Sequence, residues 1–141
     1  MAGLYSRFRQ AGYTTPKYLL EVNKKNILGE VMQGLTHKYN FEIILLIANK
    51  NDYEYESEIL NTLKTFKKQN LEIKFINNTL GQAETASIGV NALKKYSPKS
   101  KKVVFHNIDT ILYDRDFKFI DEILDMHDGY IDIFNASTDK Y

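Results

Sequence analysis

At 141 residues with 43% apolar content, the chain is long enough to bury a core as a single domain. Its 19 basic and 18 acidic residues leave a net charge of +1, which excludes action through a bulk basic face on duplex DNA or an anionic membrane and makes any charged chemistry local. The absence of cysteine excludes a disulfide scaffold, a thiolate zinc centre and a cysteine nucleophile, and the three histidines have no metal-binding spacing.

The longest apolar run, at 43–48, is too short to span a bilayer, and residues 1–10 lack the apolar region of a signal peptide. A soluble, cytoplasmic chain with no membrane span and no nucleic-acid partner is therefore expected. The opening segment, residues 1–8 followed by Thr15, Pro16 and Lys17, brings Gly3, Arg7 and Lys17 close together in sequence. Glycine lets the backbone approach an anion, free N–H groups can point at it, and two cations neutralise it, so this segment suits phosphate.

Beyond it, Ile27, Val31 and Leu35, with Leu28 and Met32 beside them, predict an amphipathic helix over 26–37. Residues 41–48 form a nearly continuous aliphatic run, which predicts a parallel strand covered on both faces and ending in a polar turn at 49–52. Ile59, Leu60, Leu63 and Phe66 predict a helix over 55–68, and clean alternation at 71–76 predicts a more exposed strand running into a turn at Gly81. A third helix is predicted over 82–96, stopped by Pro98, then a third strand over 102–107 with Asp109 at its end. Phe117, Ile120, Ile123 and Leu124 predict a helix over 116–126, and a last strand-like run follows at 130–134.

Alternating strands and helices without repeat or linker favour α/β over α+β. Parallel strands joined by helical crossovers end on one edge, where ligands bind. The polar groups at 49–52, 81–84 and 107–110 should therefore converge along one rim. Each also has a purely structural reading: Gly81 to Thr85 as a turn and helix start, Asp109 as a cap, His106 as a packing residue, and the lysines at 99–102 as a solvated loop.

In combination, three stretches resemble the nucleotidyltransferases that activate sugar phosphates and related phosphate monoesters, of the kind found in bacterial capsule and surface-polysaccharide pathways. They are Ala2-Gly3-Leu4-Tyr5-Ser6-Arg7-Phe8 with Pro16-Lys17, Gly81-Gln82-Ala83-Glu84-Thr85, and Asn107-Ile108-Asp109-Thr110. The resemblance covers nearly the whole chain and implies a Rossmann-like, three-layer α/β domain with a mostly parallel sheet. It implies transfer of a nucleotidyl group from a nucleoside triphosphate, CTP or UTP favoured, to a phosphorylated small molecule, with release of pyrophosphate.

In those terms the backbone around Ala2 and Gly3 cradles the triphosphate, Arg7 holds the departing pyrophosphate and Lys17 acts at the reacting phosphates. Asp109 holds Mg²⁺, Gln82 contacts the base, and Gly81 and Thr85 shape the loop beneath it. Two departures accompany the match. Tyr5 stands where the family usually has a second glycine, a costly exchange if that position needs positive φ. The resemblance also implies a partial domain, shortened at both ends, whose activity calls for a complementing chain or a homo-oligomer. A glycosyltransferase using a nucleotide sugar, with Asp109 as its metal-binding acid, and a non-catalytic nucleotide-binding module are the alternative readings.

Overall fold

In the computed structural model, which describes residues 5–22, 24–66, 70–96 and 102–131, the opening segment continues into a short helix, α1 (Ser6–Gln10), where the sequence predicts only a loop. A 3-10 turn at Lys17–Leu19 buries Tyr18 and leads into an antiparallel ribbon of β1 (Glu21–Val22) and β2 (Lys25–Asn26). Asn26 ends the ribbon and starts α2 (Ile27–Thr36): its side-chain oxygen accepts the Gly29 N–H at 2.8 Å, satisfying one of the free amides of the first turn. The same side chain donates to Thr62 Oγ1 at 2.6 Å and so ties α2 to the helix that follows the first sheet strand.

That strand is β3 (Ile44–Asn49), succeeded by a 3-10 turn at Lys50–Tyr55, α3 (Glu56–Leu63) and a further 3-10 turn at Lys64–Phe66. The remaining elements are β4 (Leu71–Ile76), α4 (Gln82–Tyr96) and α5 (Phe117–Met126). β3 and β4 pair in parallel, with Ile44 opposite Leu71 and Asn49 opposite Ile76. Because side chains alternate across a strand, Ile44, Leu46 and Ala48 share a face with Leu71, Ile73 and Phe75. Tyr18, Leu28 and Met32 close over this face with Ile59 and Leu63 of α3, which makes it the floor of the main core.

On the opposite face, Ile47 meets α4 at Gly89, where its Cδ1 stands 3.7 Å from the position of an added β-carbon. The small residue lets the helix axis come close to the strand. α2 also buries a second flank: Val31 and Leu35 pack with Phe117 and Ile120 of α5. Tyr39, Phe41 and Phe117 fill the end of that cluster edge-on, with Tyr39–Phe41 centroids at 4.9 Å and Phe41–Phe117 at 5.3 Å. Between α4 and α5, the segment from 107 to 112 lies directly on α2, because Gly34 leaves space for the Leu112 carbonyl where any β-carbon would overlap it.

The result is a mixed α/β fold with a small parallel sheet. One predicted strand is not there. Residues 102–107 form no regular element, and Val103, Val104 and Phe105 are 39%, 45% and 63% exposed. A strand exists only where a neighbour supplies its ladder of hydrogen bonds, and among the described residues the parallel sheet has two strands. The run predicted at 130–134 lies mostly outside the described residues, as does the end of the helix predicted to reach 68, which stops being α-helical after Leu63. Lys102 is not a solvated lysine. Its ammonium pairs with Asp125 at 2.6 Å and Asp121 at 2.9 Å, both on α5, and these contacts hold its pKa up.

Candidate functional site

The strand ends meet as the topology requires. Asn49, the last residue of β3, accepts the Asn51 N–H at 2.9 Å and donates its amide to Asn78 Oδ1 at 2.8 Å, so the ends of β3 and β4 are joined. After β4 the chain makes a locally braced entry into α4. The Leu80 N–H donates to Glu84 at 2.6 Å, the Thr85 hydroxyl donates to the Gly81 carbonyl at 3.1 Å, and the Thr79 and Thr85 hydroxyls lie 2.8 Å apart. These bonds add side-chain ties to the Thr85 N–H on the Gly81 carbonyl at 3.2 Å and fix the chain's entry into the helix.

Gln82 then reaches across to the third polar stretch, donating its amide to Asn107 Oδ1 at 3.3 Å. That stretch is a turn closed by the Thr110 N–H on the Asn107 carbonyl at 3.2 Å, with the His106 ring 2.7 Å from the Thr110 carbonyl. His106 therefore braces a turn. Gln82 of the second expected stretch thus meets Asn107 of the third, while Asn49 of the first is tied to Asn78, short of the second, and Asp52 is buried.

Beside them, Lys17 Nζ donates to Asp109 Oδ2 at 2.6 Å, joining residues 92 positions apart. The hydrogen bond from Lys17 is the main reason the Asp109 carboxyl sits below the usual carboxylate range, against a smaller opposing effect of desolvation. Asp109 is half exposed, and its carboxyl also takes its own backbone N–H, which favours the ionised form further. Lys17 Nζ also stands 5.7 Å above the Tyr5 ring.

Tyr5 leads into a network that sequence reasoning missed. Its backbone is left-handed, with φ 50 and ψ 35, the conformation that makes tyrosine costly at this position. Its hydroxyl bonds to Asp52, and its ring meets Tyr18 edge-on at 5.9 Å. Tyr18 in turn donates its hydroxyl to Asp52 Oδ2 at 3.1 Å, and Arg9 Nη2 approaches Oδ1 at 3.8 Å.

Asp52 is 1% exposed, and burial pushes its carboxyl pKa up despite these partners. Burial, followed by the nearby Asp52 charge, likewise pushes both tyrosine hydroxyls up. A cleft of about 580 Å³ opens above the network, lined by Tyr5, Ser6, Arg9, Asn49, Asn51 and Asp52. The signal that points to this network is the pairing of a bulky residue in a glycine-type position with an acid in the turn after the first core strand.

The structure thus brings together Lys17 with Asp109, and Gln82 with the Asn107 turn, while Gly81 and Thr85 take part in the first turn of α4. Arg7 lies on the exposed side of α1, and no ion pair ties it to the others among the described residues. Ala2 and Gly3 lie outside the described residues. Among the described residues no group of three or more histidines or acids is placed to hold a metal ion.

The parallel sheet, the polar turns at its edge and the lysine–carboxylate pair define a mixed α/β chain. Among solved structures the chain is similar to the nucleoside-diphosphate-sugar pyrophosphorylase from Vibrio cholerae RC9, with a TM-score of 0.67 and 28% identity. The match covers 87% of this chain and 51% of that one, so the chain spans about half the length of its neighbour. No protein-family model matches the chain, and no curated protein does. No helix among the described residues is long and apolar enough to cross a membrane.

Proposed function

We propose that the chain is the nucleotide-binding part of a nucleotidyltransferase, acting on a nucleoside triphosphate and a sugar phosphate or related phosphate monoester in capsule or surface-polysaccharide biosynthesis. The observation that carries this reading is the Lys17–Asp109 pair, 2.6 Å apart on the rim beside Gln82, in a chain similar to a nucleoside-diphosphate-sugar pyrophosphorylase. In such a reaction an acceptor phosphate oxygen bonds to the α-phosphorus. The bond from that phosphorus to the bridging oxygen breaks, and pyrophosphate leaves with the electron pair.

The protein's task is alignment and charge stabilisation. Lys17 neutralises charge on the reacting phosphates. Asp109, kept ionised by Lys17, offers a hard oxygen to Mg²⁺, which when bound neutralises phosphate charge. Gln82 presents an amide able to donate and accept against a base edge, with CTP or UTP as the favoured nucleotide, and Gly81 and Thr85 hold the turn that presents it. Arg7, free of ion pairs among the described residues, is available to the departing pyrophosphate, and the backbone at Ala2 and Gly3 to the triphosphate. The sheet with helices against both faces fits a three-layer Rossmann-like domain. A second reading, nucleotide binding without turnover, draws on the left-handed tyrosine at position 5.

Isothermal titration with the four nucleoside triphosphates, with and without Mg²⁺, tests the proposal. CTP or UTP should bind, Lys17→Ala should weaken that binding about tenfold, or ~1.4 kcal/mol, and Asp109→Asn should remove its Mg²⁺ dependence. If none of the four binds, the proposal fails. Pyrophosphate release with a phosphate acceptor present separates turnover from binding alone.

A further inference from the structure

The geometry points to Asp52 as a positioning residue for the phosphate site: its buried carboxylate latches Tyr5 in the left-handed conformation and, through Tyr18, fixes the turn that carries Lys17. This rests on the nucleotidyltransferase reading for the ligand, while the latch itself rests on the contacts alone.

A tyrosine held at φ 50 costs about 1 kcal/mol or more and persists only where its surroundings over-determine it. Here the hydroxyl is held by Asp52, the ring by the edge of Tyr18 at 5.9 Å, and the outer face by Lys17 at 5.7 Å. The same carboxylate takes the Tyr18 hydroxyl at 3.1 Å and faces Arg9 of α1 at 3.8 Å. Tyr18 directly follows Lys17 in the 3-10 turn, so holding its ring and hydroxyl sets where the lysine stem begins.

One side chain therefore ties the residue before α1, α1 itself and the Lys17 turn to the end of β3. Asp52 stands rigidly for this purpose, in the turn that Asn49 caps. At 1% exposure it has no surface to offer a ligand, so its influence on binding must pass through the groups it holds.

The choice of a carboxylate is informative. Burying it ionised is expensive, and a neutral side chain of the same size would avoid that expense. Two tyrosine hydroxyls donate here, however, and a guanidinium charge stands 3.8 Å away; a carboxylate accepts on both oxygens and carries the opposite charge, whereas an asparagine has one accepting oxygen, no charge and donors of its own. Two hydroxyl donors and a nearby cation are what the ionised acid answers together. Position 5 explains the need for them. A glycine takes positive φ without strain, so a latch is required only because tyrosine is there.

The test is a pair of double-mutant cycles on the whole chain. In the first, Mg²⁺ and the tightest-binding nucleoside triphosphate are titrated into the parent, Asp52→Asn, Tyr5→Gly and the double variant. Asp52→Asn should weaken binding about tenfold in the parent and by clearly less in the Tyr5→Gly background, where only its tie to Tyr18 is left to lose. Equal weakening in both backgrounds would mean a general structural role and overturn the inference.

In the second cycle, urea midpoints of Tyr5→Phe, Asp52→Asn and their combination are measured without ligand. The double variant should fall by clearly less than the sum of the single shifts, and additive shifts overturn the latch whatever the chain binds. Should Asp52→Asn not fold, Tyr5→Phe alone decides: it keeps the ring, removes the latched hydroxyl and should weaken nucleotide binding, and unchanged affinity refutes the role. Coupled midpoints in a parent chain that binds no nucleotide would show the latch and overturn the nucleotidyltransferase reading instead.

Discussion

Gly34→Ala is expected to destabilise the chain even though it lies inside a helix, where alanine is favoured over glycine by about 1 kcal/mol. An added β-carbon would overlap the Leu112 carbonyl oxygen and stand 3.3 Å from its carbonyl carbon and 3.5 Å from its nitrogen. All three are backbone atoms, so no side chain can swing aside, and Ile108, Ile111 and Leu112 must shift against the second core cluster. Overpacking of this kind costs about 1–3 kcal/mol, and with backbone on the receiving side the cost falls at about 2–3, so a net loss of about 1–2 kcal/mol remains after the propensity gain. For a chain of this size that is a fall of about 3 to 8 °C in melting temperature.

Gly89→Ala is the internal control. It is also helical, but its β-carbon would meet only the Ile47 side chain at 3.7 Å, an ordinary contact, so it should raise stability by up to about 1 kcal/mol. Thermal unfolding followed by circular dichroism reads both. A Gly34→Ala chain as stable as the parent, or shifted the same way as Gly89→Ala, would refute the close approach of the Asp109-bearing segment to α2.

Asn26→Ala removes both the cap of α2 and the amide bond to Thr62, and should lower the unfolding free energy by about 1–2 kcal/mol in urea titrations; a change within a few tenths would count against the double role. The two acids of the site should titrate on opposite sides of the usual carboxylate value, observable by NMR of their carboxyl carbons. The folded pKa of Asp109 is lowered, so its stabilising contribution is present above the unfolded value of about 3.9 and is lost as the pH falls through the lower folded value. Asp109→Asn should accordingly flatten the most acidic part of the stability profile. Asp52 has its folded pKa raised, so ionising it costs stability as the pH rises from the unfolded value to the folded one, and Asp52 should titrate above Asp109. The reverse order would refute the assignment of Lys17 to Asp109.

What the sequence determined by itself was local. The helices α2, α4 and α5 follow from the periodicity of Leu28, Val31 and Leu35, of Gly89 and Ala92, and of Phe117 and Ile120, because a buried stripe is written along one segment. The parallel pairing of two aliphatic runs and the meeting of polar turns at their ends follow from the same reading, since one-directional strands end on one edge. Lys17, Gln82 and Asp109 stood out as motif residues; in the fold Lys17 meets Asp109 and Gln82 meets Asn107.

Tertiary structure decided the rest. Val103, Val104 and Phe105 have the composition of a strand, but strand formation depends on a partner that no local pattern reports. Gly34 looks like a weak point in a helix until the Leu112 carbonyl is seen against it. Asp52 reads as a turn residue. Only folding, which sets it under the Tyr18 hydroxyl 34 positions away and beside a left-handed Tyr5, turns it into a buried anchor, because the two hydroxyls and the guanidinium it answers come from segments that are distant in the chain.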